Sequence, residues 1–128
     1  MSNVDRLRDA YARYGKQDYD FADDVFADDI AWSVSGIEPL RGRDQVRAFF
    51  DSLREQFASH TIALDDSVED GDRLVAFVTH TFTRHDGDSV DFRAVHDWRV
   101  SGGRFTSLDE IADTLAFAQI AGLVPTLA

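Results

Sequence analysis

The feature that most constrains the fold is a period-two alternation of apolar and polar residues through the second half of the chain. It recurs in four segments, which begin at His60, Asp72, Asp88 and Arg104 and are separated by Asp-Gly-Asp, Asp-Gly-Asp and Ser-Gly-Gly. Such alternation is typical of strands with one buried face, and the triplets are typical of hairpin turns. We therefore predict a meander of at least four strands after Ser59.

The first half of the chain shows apolar residues at helical spacing instead. Three helices are predicted: one over the stripe Val4, Leu7, Tyr11 and Tyr14, a short one over Tyr19–Phe26, and one that begins near Asp44. The segment DDIAWSVSG between the last two reads as a strand, and the final stretch TLAFAQIAGLV fits either a short helix or a tail that packs on a neighbour. This order predicts an α+β fold in which three helices close a curved, mixed β-sheet.

Charge and length limit the possible partners. The 24 acidic and 13 basic residues give a net charge of −11, which argues against binding to nucleic acid or to an anionic membrane. The chain has no cysteine, and no apolar segment reaches the length of a signal peptide or of a membrane span. We expect a single cytoplasmic domain over residues 1–128.

Three segments resemble a known family: QDYDFADDVFADDIAWSV, EPLRGRDQVRAFFDSL and GRFTSLDEIADT. Together with the order of elements, they resemble the SnoaL-like and ketosteroid-isomerase-like branch of the nuclear transport factor 2-like superfamily. The resemblance implies a cone-shaped fold, also called cystatin-like, with an interior pocket and usually a homodimer. It does not imply one activity, because the fold hosts isomerases, cyclases, hydrolases, dehydratases and binding proteins.

Two activities of these families fit the sequence poorly. Ketosteroid isomerases need an aspartate base late in the first strand and a tyrosine in the first helix; those positions fall on Val34 and near Ala10, with Tyr11 and Tyr14 close by. A valine cannot accept a proton. Limonene-type epoxide hydrolases use an Asp-Arg-Asp set, for which the nearest local match is the turn segment RHD at 84–86.

A third activity fits better. SnoaL-like polyketide cyclases use a histidine on the penultimate strand and an aspartate on the last strand as an acid–base pair, and these positions fall on His96 and Glu110. The acid here is one methylene longer, and a tryptophan often found beside it is replaced by Asp109. The resemblance therefore implies that His96 acts as the base and Glu110 as its partner or as the acid.

Strand parity supports an inward position for both residues. His96 shares its face with apolar neighbours, as does Glu110, and the two lie seven residues before and after Gly103. A carboxylate beside a buried imidazole can hold a proton near neutral pH. The alternative is a structural hydrogen-bonded pair inside a filled cone.

Other residues are candidates for the same pocket. His80 shares parity with the apolar residues of its strand, whereas His60 and His85 are expected to be solvated. Candidate ligand-binding residues are His80, Trp32, Phe50, Trp98 and Tyr14, although ordinary core packing also explains the aromatic ones. We predict no metal and no cofactor, since no His-x-His or His-x-x-x-His spacing is present.

Two functional hypotheses follow. The first is an enzyme that isomerises or cyclises a hydrophobic carbonyl compound by proton abstraction. The second is a non-catalytic protein that binds a small apolar ligand in the same cone. In both, the partners are a hydrophobic small molecule and a second copy of the chain.

Overall fold

The computed structural model describes residues 1–124, whose elements follow the predicted order. The helices are α1 (Asn3–Gly15), α2 (Phe21–Val25), α3 (Arg43–Gln56) and α4 (Thr114–Ile120). The strands are β1 (Phe26–Val34), β2 (Leu40–Arg41), β3 (Ser59–Asp70), β4 (Arg73–Thr83), β5 (Ser89–Ser101) and β6 (Arg104–Ala112). The final apolar stretch is helical, so the described chain has four helices rather than the predicted three. Helix α2 is shorter than predicted, and the two-residue strand β2 was not predicted.

The strands form one mixed sheet in the order β2-β1-β6-β5-β4-β3. Strand β1 runs parallel to β6, and the other neighbouring pairs are antiparallel. The curved α+β fold and the meander after Ser59 are therefore confirmed. Within residues 1–124, no helix is both long enough and apolar enough to cross a membrane.

Helix α1 supplies part of the wall over the sheet. The Ser2 side chain accepts the N–H of Asp5 at 3.1 Å and caps its first turn. Leu7, Tyr11 and Tyr14 recur at intervals of four and three residues, so they share one face, and all three are buried. Their position brings two phenol groups into the interior of the fold.

The hairpin between β5 and β6 sets the positions of the two predicted site residues. Its turn consists of Gly102 and Gly103, whose φ angles of 59° and 78° lie in the region that glycine adopts without strain. Ser101 and Arg104 pair directly across this turn. Two central residues with positive φ match the strand twist of a tight hairpin.

A β-bulge then shifts the pairing of β5 and β6 by one residue. Thr106 is the extra residue, and its hydroxyl donates to the backbone oxygen of Arg99 at 3.3 Å. Beyond the bulge, His96 lies directly opposite Glu110. Without it, His96 would lie opposite Asp109, and Glu110 would point to the outer face.

Candidate functional site

A cavity of about 540 Å³ lies between the sheet and the helices. Its wall is mainly apolar and aromatic. All seven predicted site residues line it, and none is more than 8% exposed: Tyr14, Trp32, Phe50, His80, His96, Trp98 and Glu110. The sequence prediction that these residues share one interior space agrees with their positions. Val34, at the position of the ketosteroid isomerase base, also lines the cavity.

Glu110 is the centre of the polar part of this wall. Its Oε2 atom forms a hydrogen bond with Nε2 of His96, the residue opposite it on β5, and a second one with Nε2 of His80 at 2.8 Å. Its Oε1 atom has no hydrogen bond with any residue of the described chain. Because Glu110 lines the cavity and keeps 8% exposure, this second oxygen remains available to a ligand.

Two chains of hydrogen bonds lead away from Glu110. Through His96, the first continues from Nδ1 to the Tyr11 hydroxyl at 2.6 Å, and that hydroxyl accepts the indole N–H of Trp98 at 3.1 Å. Through His80, the second continues from Nδ1 to Nε2 of His60 at 2.7 Å and from Nδ1 of His60 to the Tyr14 hydroxyl at 2.7 Å. We call the following set the Glu110 network: Tyr11, Tyr14, His60, His80, His96, Trp98 and Glu110.

The direction of the first chain follows from its two ends. Trp98 can only donate, so the Tyr11 oxygen accepts from it; an ionised Glu110 can only accept, so a neutral His96 keeps Nδ1 as the acceptor of the Tyr11 proton. His96 must then carry its own proton on Nε2, where it donates to Glu110. Neither ring nitrogen of His96 keeps a free lone pair.

The second chain can run the same way. With His80 uncharged, its Nε2–H donates to Glu110 and its Nδ1 accepts from His60. The Tyr14 hydroxyl then donates to His60. Both chains then direct their donors toward the Glu110 carboxylate.

Burial and hydrogen bonding shift the acidities of the network. Burial alone would raise the pKa of Glu110, but the hydrogen bonds from His80 and His96 outweigh it and hold that pKa well below its ordinary value. Burial lowers the pKa of His96 despite the opposing influence of Glu110. Burial also lowers the pKa of His60, and the neighbouring His80 lowers it further. The structure therefore favours an ionised Glu110 beside neutral His60 and His96.

The tyrosines are held in the protonated form. Burial raises the pKa of Tyr11, and the charge of Glu110 adds to the shift, while the hydrogen bond from Trp98 opposes it. Burial likewise raises the pKa of Tyr14. Both hydroxyls are therefore hydrogen-bond donors at neutral pH.

The sequence prediction for His60 was wrong. His60 is half-buried, lines the cavity and stacks on Phe82 with ring centroids 3.7 Å apart, so it is not solvated. Its shared parity with Ile62 and Leu64 would have indicated an inward side chain. His85 is exposed, as predicted, and its Nε2–H donates to the Glu55 backbone oxygen at 3.0 Å.

From the sequence, Tyr11 was noted only as part of a helical stripe and as a neighbour of the ketosteroid isomerase tyrosine position. Its contact with His96 joins residues 85 positions apart, so no local pattern indicates it. The turn segment that resembles the epoxide hydrolase set is a surface feature, in which Arg84 pairs with Asp86. It does not line the cavity.

Three of the network residues also satisfy the distance requirement of a metal site. One ligand atom each from His80, His96 and Glu110 lies within 4.8 Å of the other two, although the sequence spacing predicts no such group. Three protein donors suffice for a catalytic zinc. In the structure, however, the two imidazole nitrogens both contact Oε2, and a metal would have to displace the two protons that they share with it.

The chain has a curved mixed sheet, helices over its open side and an interior cavity. These features define a cone-shaped α+β fold that is typical of small-molecule-binding families. The chain belongs to the SnoaL-like domain family, whose model matches residues 7–108. This family is related to polyketide cyclases and isomerases. No curated protein matches the chain.

Solved structures support the same fold. A nuclear transport factor 2-like protein of unknown function from Burkholderia pseudomallei is 26% identical, with a TM-score of 0.86 over 94% of this chain and 98% of that one. A putative SnoaL-like polyketide cyclase from Jannaschia is 19% identical, with a TM-score of 0.80 over 95% and 90% of the two chains. A protein with a ketosteroid isomerase-like fold from Catenulispora acidiphila, in complex with trimethylamine, is 13% identical, with a TM-score of 0.84 over 96% of each chain.

Proposed function

We propose that this SnoaL-like protein binds a hydrophobic small molecule in its cone and moves a proton of that molecule through Glu110 and His96. The observation that carries the proposal is a carboxylate with one oxygen held by two imidazoles and the other free at a largely apolar cavity of about 540 Å³. A site of this size and polarity suits a drug-sized ligand. Isomerisation or cyclisation of a carbonyl compound is the reaction class that such a pair supports.

The hydrogen-bond order assigns the roles within the pair. Because the lone pairs of Oε1 are free, this oxygen of Glu110 receives the proton from the ligand. His96 positions the carboxylate through its Nε2–H, and Glu110 can return the proton from Oε1 to another atom of the ligand. Trp32 Nε1 is a buried donor without a partner among residues 1–124, and a ligand carbonyl oxygen is a suitable acceptor for it.

A specific observation also favours the alternative, a binding protein without turnover. The pKa of Glu110 lies well below its ordinary value because the hydrogen bonds from its two histidines outweigh the effect of burial. A general base works best when its pKa lies near the working pH, so a strongly stabilised carboxylate is a weak base. The same charge would still anchor a ligand.

Hydrogen exchange separates the two functions. We expect the protein to accelerate deuterium incorporation next to the carbonyl of 2-indanone or 2-tetralone in D₂O, followed by proton NMR. Glu110→Gln should remove the acceleration, whereas Asp109→Asn, on the outer face next to Glu110, should keep it. Saturable binding of both ketones without any acceleration in the wild-type protein would support the binding function instead.

We also propose a homodimer that forms through the outer face of the sheet. Phe77, Val95 and Ile111 lie side by side across β4, β5 and β6 on that face, and Ile111 is 67% exposed. Light scattering should give twice the chain mass of 14.4 kDa, and Ile111→Asp should lower it. A monomer mass in both low and high salt would contradict the proposal; both are needed because two acidic chains repel at low ionic strength.

A further inference from the structure

The charged side chains around the cavity have one sign. Among the described lining residues, the acids are Glu110 and Asp113, and no lysine or arginine is present. Nε2 of His80 and Nε2 of His96 are both engaged by Glu110. An anionic group of a ligand would therefore meet a carboxylate with no lysine or arginine in the described lining to pair with.

One oxygen of Glu110 is an unused anchor in this wall. Oε2 is occupied by His80 and His96, whereas Oε1 has no partner among the described residues. An unpaired oxygen on a buried carboxylate is costly, and a positively charged N–H donor at hydrogen-bond distance offsets that cost. An alcohol could supply the hydrogen bond, but not the charge.

The rest of the wall suits the substituents of an organic cation. Trp32 packs edge-to-face with Trp98 and with Phe50, at ring centroid separations of 5.8 and 5.6 Å. Aromatic rings attract cations through their negative faces as well as contacting apolar groups. The aromatic wall and the carboxylate therefore favour the same class of ligand, for two different physical reasons.

We propose that the cavity binds a hydrophobic organic ammonium compound, with its N–H at Oε1 of Glu110 and its apolar part against the aromatic wall. This inference rests on the proposed binding of a hydrophobic small molecule and specifies a ligand class for the binding function, because an N–H at Oε1 occupies the oxygen that proton transfer needs. Asp113 adds a second negative charge among the lining residues while its side chain caps α4 through the N–H of Ala116 at 2.9 Å. The net charge of −11 attracts a cation and repels an anion over a longer range.

Three probes with the same ring system and similar size test the charge preference: 2-naphthylmethylamine, 2-naphthylmethanol and 2-naphthoic acid. Their affinities are measured by calorimetry at pH 7.5 in 0.1 M NaCl with a chelator present, which removes adventitious metal. We expect the amine to bind at least about tenfold more tightly than the alcohol, and the acid to bind most weakly. Glu110→Gln should abolish the difference between amine and alcohol, while Asp109→Asn should preserve it.

Each outcome decides the inference. Equal or tighter binding of the alcohol or the acid by the wild-type protein overturns the charge preference but leaves a hydrophobic-ligand function intact. A preference for the amine that persists in Glu110→Gln overturns the role of Oε1. Absence of binding for all three probes overturns the ammonium inference, while ketone exchange still tests the proposed function separately. The wild-type ratio decides the ligand class even if the variant does not fold.

Discussion

Two regions of the molecule pair carboxylates with nitrogen donors, one on the surface and one inside. On the helix side, a surface ion-pair cluster joins α1, α2 and α3; its pairs are Arg13 with Asp18 and Asp24, Arg43 with Asp23 and Asp28, and Arg47 with Asp20 and Asp23. The aspartates of this cluster are 45–87% exposed at their side chains. The Glu110 network, by contrast, gathers two imidazoles on a carboxylate whose side chain is only 9% exposed.

The comparison separates exposed ion pairs, which contribute little to stability, from a buried carboxylate that depends on its hydrogen bonds. Exposed ion pairs contribute little, because water and salt screen them. A buried carboxylate loses its hydration and survives only with good hydrogen bonds around it. Hydrophobic residues at the same inner positions would have made a simpler core, and the half-satisfied carboxylate at a cavity supports our proposal that Glu110 is a functional residue.

Acid should produce the largest effect, because it acts on the whole Glu110 network. The pKa values of His60 and His96 are lower in the folded protein, where burial lowers both, than in the unfolded chain. The unfolded chain therefore takes up protons first as the pH falls below about 6.5, and the free energy of unfolding decreases. Below about pH 4.3, the lowered pKa of Glu110 adds to the loss in the same direction.

Urea unfolding from pH 8 to pH 4 measures this loss. A background of 0.5 M NaCl screens the repulsion among surface carboxylates, whose relief in acid has the opposite sign. His85→Gln is the control, because its exposed ring is outside the network. A free energy of unfolding that stays constant or increases between pH 7 and pH 5 would contradict the tautomers and charges assigned to the network.

Glu110→Leu should produce the next largest loss of stability. The substitution leaves the Nε2–H groups of His80 and His96 without their acceptor, and we expect a loss of about 3 kcal/mol in the free energy of unfolding. Replacing His80 and His96 by phenylalanine in the same variant removes those two unpaired donors, but it leaves the Tyr11 hydroxyl and Nε2 of His60 without partners, so we expect no full recovery. Asp109→Asn should change the stability little, because Asp109 is exposed on the outer face. If Glu110→Leu lowered the free energy of unfolding no more than Asp109→Asn does, the distinction between the two regions would be lost.

The fold was largely predictable, because periodicity and turn residues are local properties. The alternation in β4 and β5 correctly placed His80 and His96 on the inner face. The pairing of His96 with Glu110 was predicted from a hairpin centred on Gly103, but the structure reaches it through a two-residue turn and the bulge at Thr106. The shorter turn moves the pairing by one residue and the bulge moves it back. The sequence argument therefore predicted the right pair but the wrong pairing next to the turn.

The polar contacts of the site could not be predicted in the same way. The hydrogen bonds from Tyr11 to His96 and from Tyr14 to His60 depend on how α1 crosses the sheet, and they join residues 85 and 46 positions apart. His60 was misassigned because it lies at the beginning of its strand, where solvent exposure is a common outcome. Parity alone would have corrected that prediction.

Tyrosine substitutions should show that the two hydrogen-bond chains of the Glu110 network contribute differently to stability. Tyr11→Phe leaves both the Trp98 N–H and Nδ1 of His96 unpaired, so we expect a loss of about 2 kcal/mol. Tyr14→Phe leaves only Nδ1 of His60 unpaired, and we expect a loss of about 1 kcal/mol. Both are measured by urea unfolding at pH 8. A larger loss for Tyr14→Phe than for Tyr11→Phe would mean that the hydrogen-bond chain through His60 contributes more to stability than the chain through His96.

Arg47→Gln should have the smallest effect. The Arg47 side chain is 34% exposed and pairs with Asp20 at 3.0 Å and with Asp23 at 3.2 Å, so we expect a loss of about 0.5 kcal/mol at low salt and almost none in 1 M NaCl. Arg93→Gln is the matched control, because Arg93 is exposed and forms no ion pair with another described residue. The difference between the two variants isolates the ion pairs from the general effect of lowering the positive charge of an acidic protein. A salt-independent loss comparable to that of Glu110→Leu would mean that the surface ion-pair cluster stabilises the fold as the buried network does.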